Sequence, residues 1–233
     1  VPTLANSFNV NGVGPDLDPL TTSSFTPGVG DVIVVKGIIE DTSGPSAYGT
    51  PIDTNSNTYT LWASDSSASH CWVGIWTAVA ATASSMSVTV TPTGSGNWHS
   101  IVVEQWTSAA LAGTPATNGT KTGTGAPSSS ITTTTANSAV SWLNGDWAAN
   151  SPAGRVYNSG SATPVEDGLH DKSGTSSYVA YYAWQNAASA TSQTVGLTAP
   201  GGQTWSLLAV EILDTGTPPA GTDPDQFGTL AWQ

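Results

Sequence analysis

Positive charge is almost missing from this chain. Four Lys and Arg residues stand against sixteen Asp and Glu, charged residues make up 9% of the sequence, and the formal net charge is −12. The four bases, Lys36, Lys121, Arg155 and Lys172, are scattered along the chain. A nucleic-acid partner is thereby excluded, because neutralising phosphates takes clustered Lys and Arg, and docking on an anionic lipid surface is disfavoured for the same reason. Cysteine occurs once, at Cys71, so no intramolecular disulfide can staple the fold. Set between His70 and Trp72 in an apolar run, Cys71 reads as a small core residue; a nucleophile or metal ligand would need partners that its neighbours do not offer. Long apolar runs are missing too. Nothing approaches the roughly 18 residues of a membrane-spanning helix, so no membrane insertion is expected. The opening VPTLANSFNVNGVG has neither the basic nor the apolar region of a secretory signal, which gives the expectation of a protein soluble as made.

What the chain does have is aromatic residues, ten Trp and six Tyr among them, and these argue against disorder in a chain so poor in charge. Period-two alternation of β-branched and aromatic residues marks strands at Asp31 to Ile39, Thr58 to Ser64, His70 to Val79, Met86 to Thr93 and His99 to Trp106, with Gly, Pro, Ser and Asn clusters between them. The expected fold class is all-β. The second half then repeats the first. Ser23 to Val35 is echoed by Ser129 to Trp142, Trp72 and Trp76 by Tyr178 and Tyr182, SMSVTVTP by SQTVGLTAP, and NWHSIVVEQW by TWSLLAVEIL. Trp98 and Trp205, like Glu104 and Glu211, stand about 107 residues apart, far beyond the ~20–50-residue periods of solenoids and propellers. The reading is a tandem duplication of one β-sandwich unit, Ig-like or jelly-roll-like, over residues 1–108 and 109–214. The two halves are either separate domains or one fused body. Residues 215–233 form a Pro/Gly linker and an extended C-terminal arm, whose Phe227, Leu230 and Trp232 are expected to dock on the protein's own surface or on a partner.

Chemistry is harder to find. His70, His99 and His170 have no metal-ligand spacing, and no phosphate-binding loop, dinucleotide fingerprint or nucleophile elbow occurs, so no catalytic, metal or cofactor site is expected. Glu104 and Glu211 could suggest a carboxylate pair, but as equivalent positions of a repeat they read as structural carboxylates at the rim of each core, accepting hydrogen bonds from an indole or a loop backbone. Trp72, Trp76, Trp98, Tyr178, Tyr182 and Trp205 are expected in the core. The least repeated segments, Glu40 to Asn57 and Asn150 to Thr175, are candidate ligand-facing loops, with Tyr48, Trp147 and Tyr157 in or beside them as the exposed aromatics.

Taken together, FTPGVGDVIVVK, ASHCWVGIWTAVA, VTVTPTGSGNWHSIVVEQW, NGTKTGTGAPSSSITTTTANSAVSW and TAPGGQTWSLLAVEI resemble a family of virion proteins of tailed bacteriophages that infect actinobacteria, over roughly residues 1–213. These are described as minor tail proteins, with related sandwich modules on capsids as decoration proteins. The resemblance implies a non-enzymatic structural component of the virion, assembled in the host cytoplasm and present in many copies. Its partners would be other virion proteins, copies of itself and host cell-wall glycan. Capsid decoration and a carbohydrate-binding adhesin module are the alternatives.

Overall fold

The computed structural model describes residues 1–12, 18–40, 46–66, 71–94, 98–111, 121–147, 154–158, 162–172, 178–201 and 203–215. Strands account for most of them, and no α-helix occurs among the described residues. The first half contains β1 (Thr3–Asn11), β2 (Leu20–Thr21), β3 (Val32–Glu40), β4 (Ile52–Asp53), β5 (Thr60–Asp65), β6 (Cys71–Val79), β7 (Val88–Val90) and β8 (Trp98–Thr107). A short β9 (Ala109–Leu111) leads into the second half, with β10 (Lys121–Gly125), β11 (Ser128–Thr132), β12 (Ser138–Trp147), β13 (Val156–Tyr157), β14 (Val165–Lys172), β15 (Tyr178–Ala187), β16 (Ser192–Ala199) and β17 (Gln203–Asp214). The two divergent segments therefore hold strands as well as loops: β4 lies in the first, β13 and β14 in the second.

Each half is a sandwich of a large and a small antiparallel sheet. The large sheets run β1-β8-β3-β6-β5 and β10-β17-β12-β15-β14, the small ones β2-β7-β4 and β11-β16-β13, so the two halves repeat one topology strand for strand. The link between them is direct. At Ser108, whose φ is 53°, the chain leaves the first large sheet, and β9 joins the second by pairing with the end of β17.

The large sheets stack against each other, giving four layers and three cores. Val32, Val34, Ile38, Val73, Ile75 and Val102 of the first half meet Ala139, Leu143, Ala180, Tyr182, Leu208 and Val210 of the second in a central seam. Ile33, Val35, Trp72 and Trp76 face the first small sheet, and Val140, Trp142, Tyr181 and Trp205 the second. A strand buried on both faces must be apolar at successive positions, which is why β3 reads VIVVKGII rather than alternating with polar residues. Each Val or Ile taken fully from water contributes about 1.5–3 kcal/mol, and β3 is buried from end to end. The halves form one fused body. They pack tightly at Gly145, where a Cβ would stand 2.1 Å from the Cys71 sulfur.

The facing of the side chains corrects the alignment read from the sequence. Trp72 and Trp76 lie in the outer core of the first half, whereas Tyr182, their expected echo, lies in the seam. Glu104 shares the seam face with Val102 and Trp106, while Glu211 shares the outer face with Leu207 and Ala209. The first-half residue that faces as Glu211 does is Gln105. A match by residue type that is one position out of phase puts every side chain on the opposite face.

Candidate functional site

A buried cluster of ionisable groups sits in the seam. Lys36 on β3 and Glu104 on β8 face Asp167 on β14 across the two large sheets, with side-chain exposures of 0%, 0% and 3%. The Lys36 ammonium donates to Glu104 Oε1 at 2.6 Å and to Asp167 Oδ2 and Oδ1 at 3.0 and 3.2 Å. Ser141 Oγ donates to Glu104 Oε1 at 2.9 Å, and the Trp106 indole donates to Oε2 at 2.9 Å. Ser7 Oγ adds a 3.3 Å contact to Asp167 Oδ2. Every charge is thus paired and hydrogen-bonded, as a buried ion must be.

One ammonium cannot balance two carboxylates. Burial works against ionised Glu104, but the Lys36 charge and the donors around it outweigh burial and hold this carboxyl below its usual range. Burial pushes Asp167 up to about 8, against the pull of Lys36 and with the push of Glu104. Lys36 goes up despite its burial, because Asp167 and Glu104 face it. The state favoured at neutral pH is Lys⁺, Glu⁻ and a protonated Asp167, with no net charge. The cluster is a pin between halves, closed to any substrate in this conformation.

Glu211 has the other role expected of these carboxylates. It accepts from the Thr134 N–H at 2.9 Å, the Thr134 hydroxyl at 2.8 Å and the Thr135 N–H at 3.3 Å, so it ties down the loop before β12. In the first half Gln105 donates to Asp31 Oδ2 at 2.6 Å, and Asp31 in turn takes the Gly28 N–H at 2.7 Å. Glu104 does take an indole, as expected, but deep in the seam rather than at a rim.

The aromatics expected at an exposed surface lie elsewhere. Tyr48 is 5% exposed. Its ring fills the space above Gly37, where a Cβ would come within 2.8 Å, and it meets Trp72 edge-on at 5.9 Å. The Tyr48 hydroxyl shares a 3.0 Å hydrogen bond with His99 Nδ1. Nothing in the loop around Tyr48 signals this; the signal is Gly37, a glycine in an otherwise bulky strand. Tyr157 is half-buried, packs edge-on against Trp142 at 5.7 Å, and gives its hydroxyl proton to Glu166, which also binds Arg155. Trp147 ends β12, and its side chain lies outside those described. Phe227, Leu230 and Trp232 lie outside the described residues. Trp98, expected in the core, is only partly buried, between His170 at 5.9 Å and the Lys172 ammonium at 4.1 Å.

Cys71 is fully buried, and burial pushes its thiol well above the usual value. Among the described residues no group of three or more His, Cys, Asp or Glu is placed to hold a metal, and no helix is long and apolar enough to cross a membrane. An open groove of about 520 Å³ runs beside β5, with Asn57, Thr60, Trp62, Val79 and Leu111 among its lining. No protein-family model, curated protein or solved structure matches the chain.

Proposed function

We propose that this chain is a non-enzymatic structural component of a tailed-phage virion, most simply a minor tail protein displayed on the particle. The observation that supports this best is the seam. Two sandwiches joined through their large sheets, pinned by Lys36, Glu104 and Asp167, make a single body whose halves share a core. Such a body suits a part whose task is to hold a position on a particle. The phage-like phrasing of the sequence points the same way. A second reading, adhesion to host-surface glycan, is favoured by the groove at Trp62, where an indole stands among hydroxyl and amide side chains.

Electron cryo-microscopy of purified virions, with full-length protein and with a chain ending at Asp214, tests the proposal. Density on the tail, lost with the truncated chain, is the expected result. Density over the capsid lattice would make the chain a decoration protein, and its absence from virions would overturn the structural reading.

A further inference from the structure

The outer core of the second sandwich is apolar at one end and polar at the other. Along β12 the residues facing it are Val140, Trp142, Asn144 and Asp146, and the register sets Asn144 directly across from Tyr181 on β15. Trp142, Asn144, Asp146 and Tyr181 are all fully buried. Yet the Trp142 indole N–H, both polar atoms of the Asn144 amide, both Asp146 side-chain oxygens and the Tyr181 hydroxyl have no hydrogen-bond partner among the described residues. One orphaned polar atom can be an accident of packing. A contiguous patch of them on two paired strands is a cost that a marginally stable fold does not carry without something to meet it.

The first sandwich fills the same place with aromatic rings. Counted back from the ends of β3 and β12, Gly37 holds the place of Asn144, and it pairs with Gly74 as Asn144 pairs with Tyr181. The rings of Tyr48 and Trp72 occupy the space above these two glycines. At the same remove past the end of β12 where Tyr48 follows β3 stands Arg155, and its guanidinium is turned to Glu166 at 2.7 Å. The second sandwich has exchanged an aromatic plug for polar side chains.

The kind of atom left open decides what can meet it. Asn144 Oδ1 accepts, Asn144 Nδ2 and the Trp142 indole donate, and the Tyr181 hydroxyl and a protonated Asp146 carboxyl do both. A cation would face two sets of N–H donors, and an anion would face the Asn144 Oδ1 acceptor. Hydroxyl groups, each a donor and an acceptor at once, satisfy every atom of the set. Asn144 and Asp146 alternate on one face of one strand, so their Cα atoms lie about 7 Å apart, close to the span of one sugar ring. Burial alone pushes the Asp146 carboxyl up to about 8, so that at neutral pH it is mainly protonated and offers a donor beside its acceptor.

We propose that Trp142, Asn144, Asp146 and Tyr181 form a binding site for a single neutral sugar residue, held by hydroxyls shared between the Asn144 amide and the Asp146 carboxyl. The site is separate from the groove at Trp62 and stands whether or not the chain is carried on a particle.

The test is nuclear magnetic resonance on the full chain, following the Trp142 indole N–H, assigned by its loss in Trp142→Phe. The probes are the methyl glycosides of glucose, galactose, mannose, arabinose and rhamnose, each incubated for hours because the site is sealed. At least one probe is expected to shift that resonance, with Asp146→Asn weakening the effect on the order of tenfold or more while the variant stays folded. Asp146→Asn keeps the shape of the side chain, so its spectrum reports folding independently of binding. A shift that Asp146→Asn leaves unchanged places the sugar elsewhere and overturns the proposal. No shift with any probe up to tens of millimolar overturns it as well, and ordered water at these atoms in a crystal structure of the protein would then account for them.

Discussion

At the end of the molecule where β3 and β12 finish, the two sandwiches solve one packing problem in opposite ways. The first leaves the strand bare with Gly37 and Gly74 and lays Tyr48 and Trp72 over them; the second puts Asn144 and Tyr181 at those places with their polar atoms unmet. The strand order is the same in both. Topology here follows from which residues are apolar on which face, and that pattern tolerates very different chemistry at single positions. The seam makes the same point: the places that Lys36 and Glu104 hold in the first half are held in the second by Leu143 and Val210, by strand order and facing.

The largest effect is expected where the halves differ in charge. Lys36→Met leaves Glu104 facing Asp167 without a cation and should cost about 3–5 kcal/mol in urea unfolding, whereas replacing Lys36, Glu104 and Asp167 together by Met, Leu and Leu should recover most of that loss. Equal losses in the two variants would mean that the cost does not come from carboxylates left without their cation. Next comes the aromatic plug. Gly74→Ala brings a Cβ within 2.2 Å of the Trp72 ring and is expected to destabilise by about 1–3 kcal/mol, with near-ultraviolet circular dichroism reporting the displaced indole.

The dependence on pH is smaller per step. Asp167 and Asp146 are each pushed to about 8, above the ~3.9 of an unfolded Asp, so the native state binds more protons than the unfolded one between these values. Stability is therefore expected to fall as pH rises through this window, by up to about 1.4 kcal/mol per pH unit per carboxyl, and to level off above pH ~8. Denaturant midpoints measured from pH 5 to 8 check the sign, and Asp146→Asn should flatten the slope. The smallest effect is expected at the surface: Ile52→Thr, on a residue 65% exposed, should change stability by no more than about 0.5 kcal/mol.

Much of the framework was legible in the sequence. The β-branched runs became β3, β5, β6, β7 and β8, and the echo in the second half marked strands with the same order. The facing was not legible, because aligning Trp72 with Tyr178 and Glu104 with Glu211 by residue type slipped the register by one position. The seam left a sign that a sharper reading could use: VIVVKGII is too apolar for a strand with one wet face, and a Lys inside it demands a buried anion. Asp167 could not be named as that anion, since VEDGLHDK reads as a polar loop and pairs as a strand only through β15. Tyr48 turned inward for a reason written in another strand, at Gly37, and local sequence carries no trace of that distance.

The seam also sets the order of events as the chain is made. A first half leaving the ribosome alone would show Val32, Val34, Ile38, Val73 and Val102 to water and strand Lys36 without Asp167. Its native state cannot be completed until β14, β15 and β17 have emerged, so folding is expected to behave as one late cooperative step that closes contacts distant in sequence. Until then the nascent chain holds an apolar sheet face that a chaperone, or the same face of another copy, is able to cover.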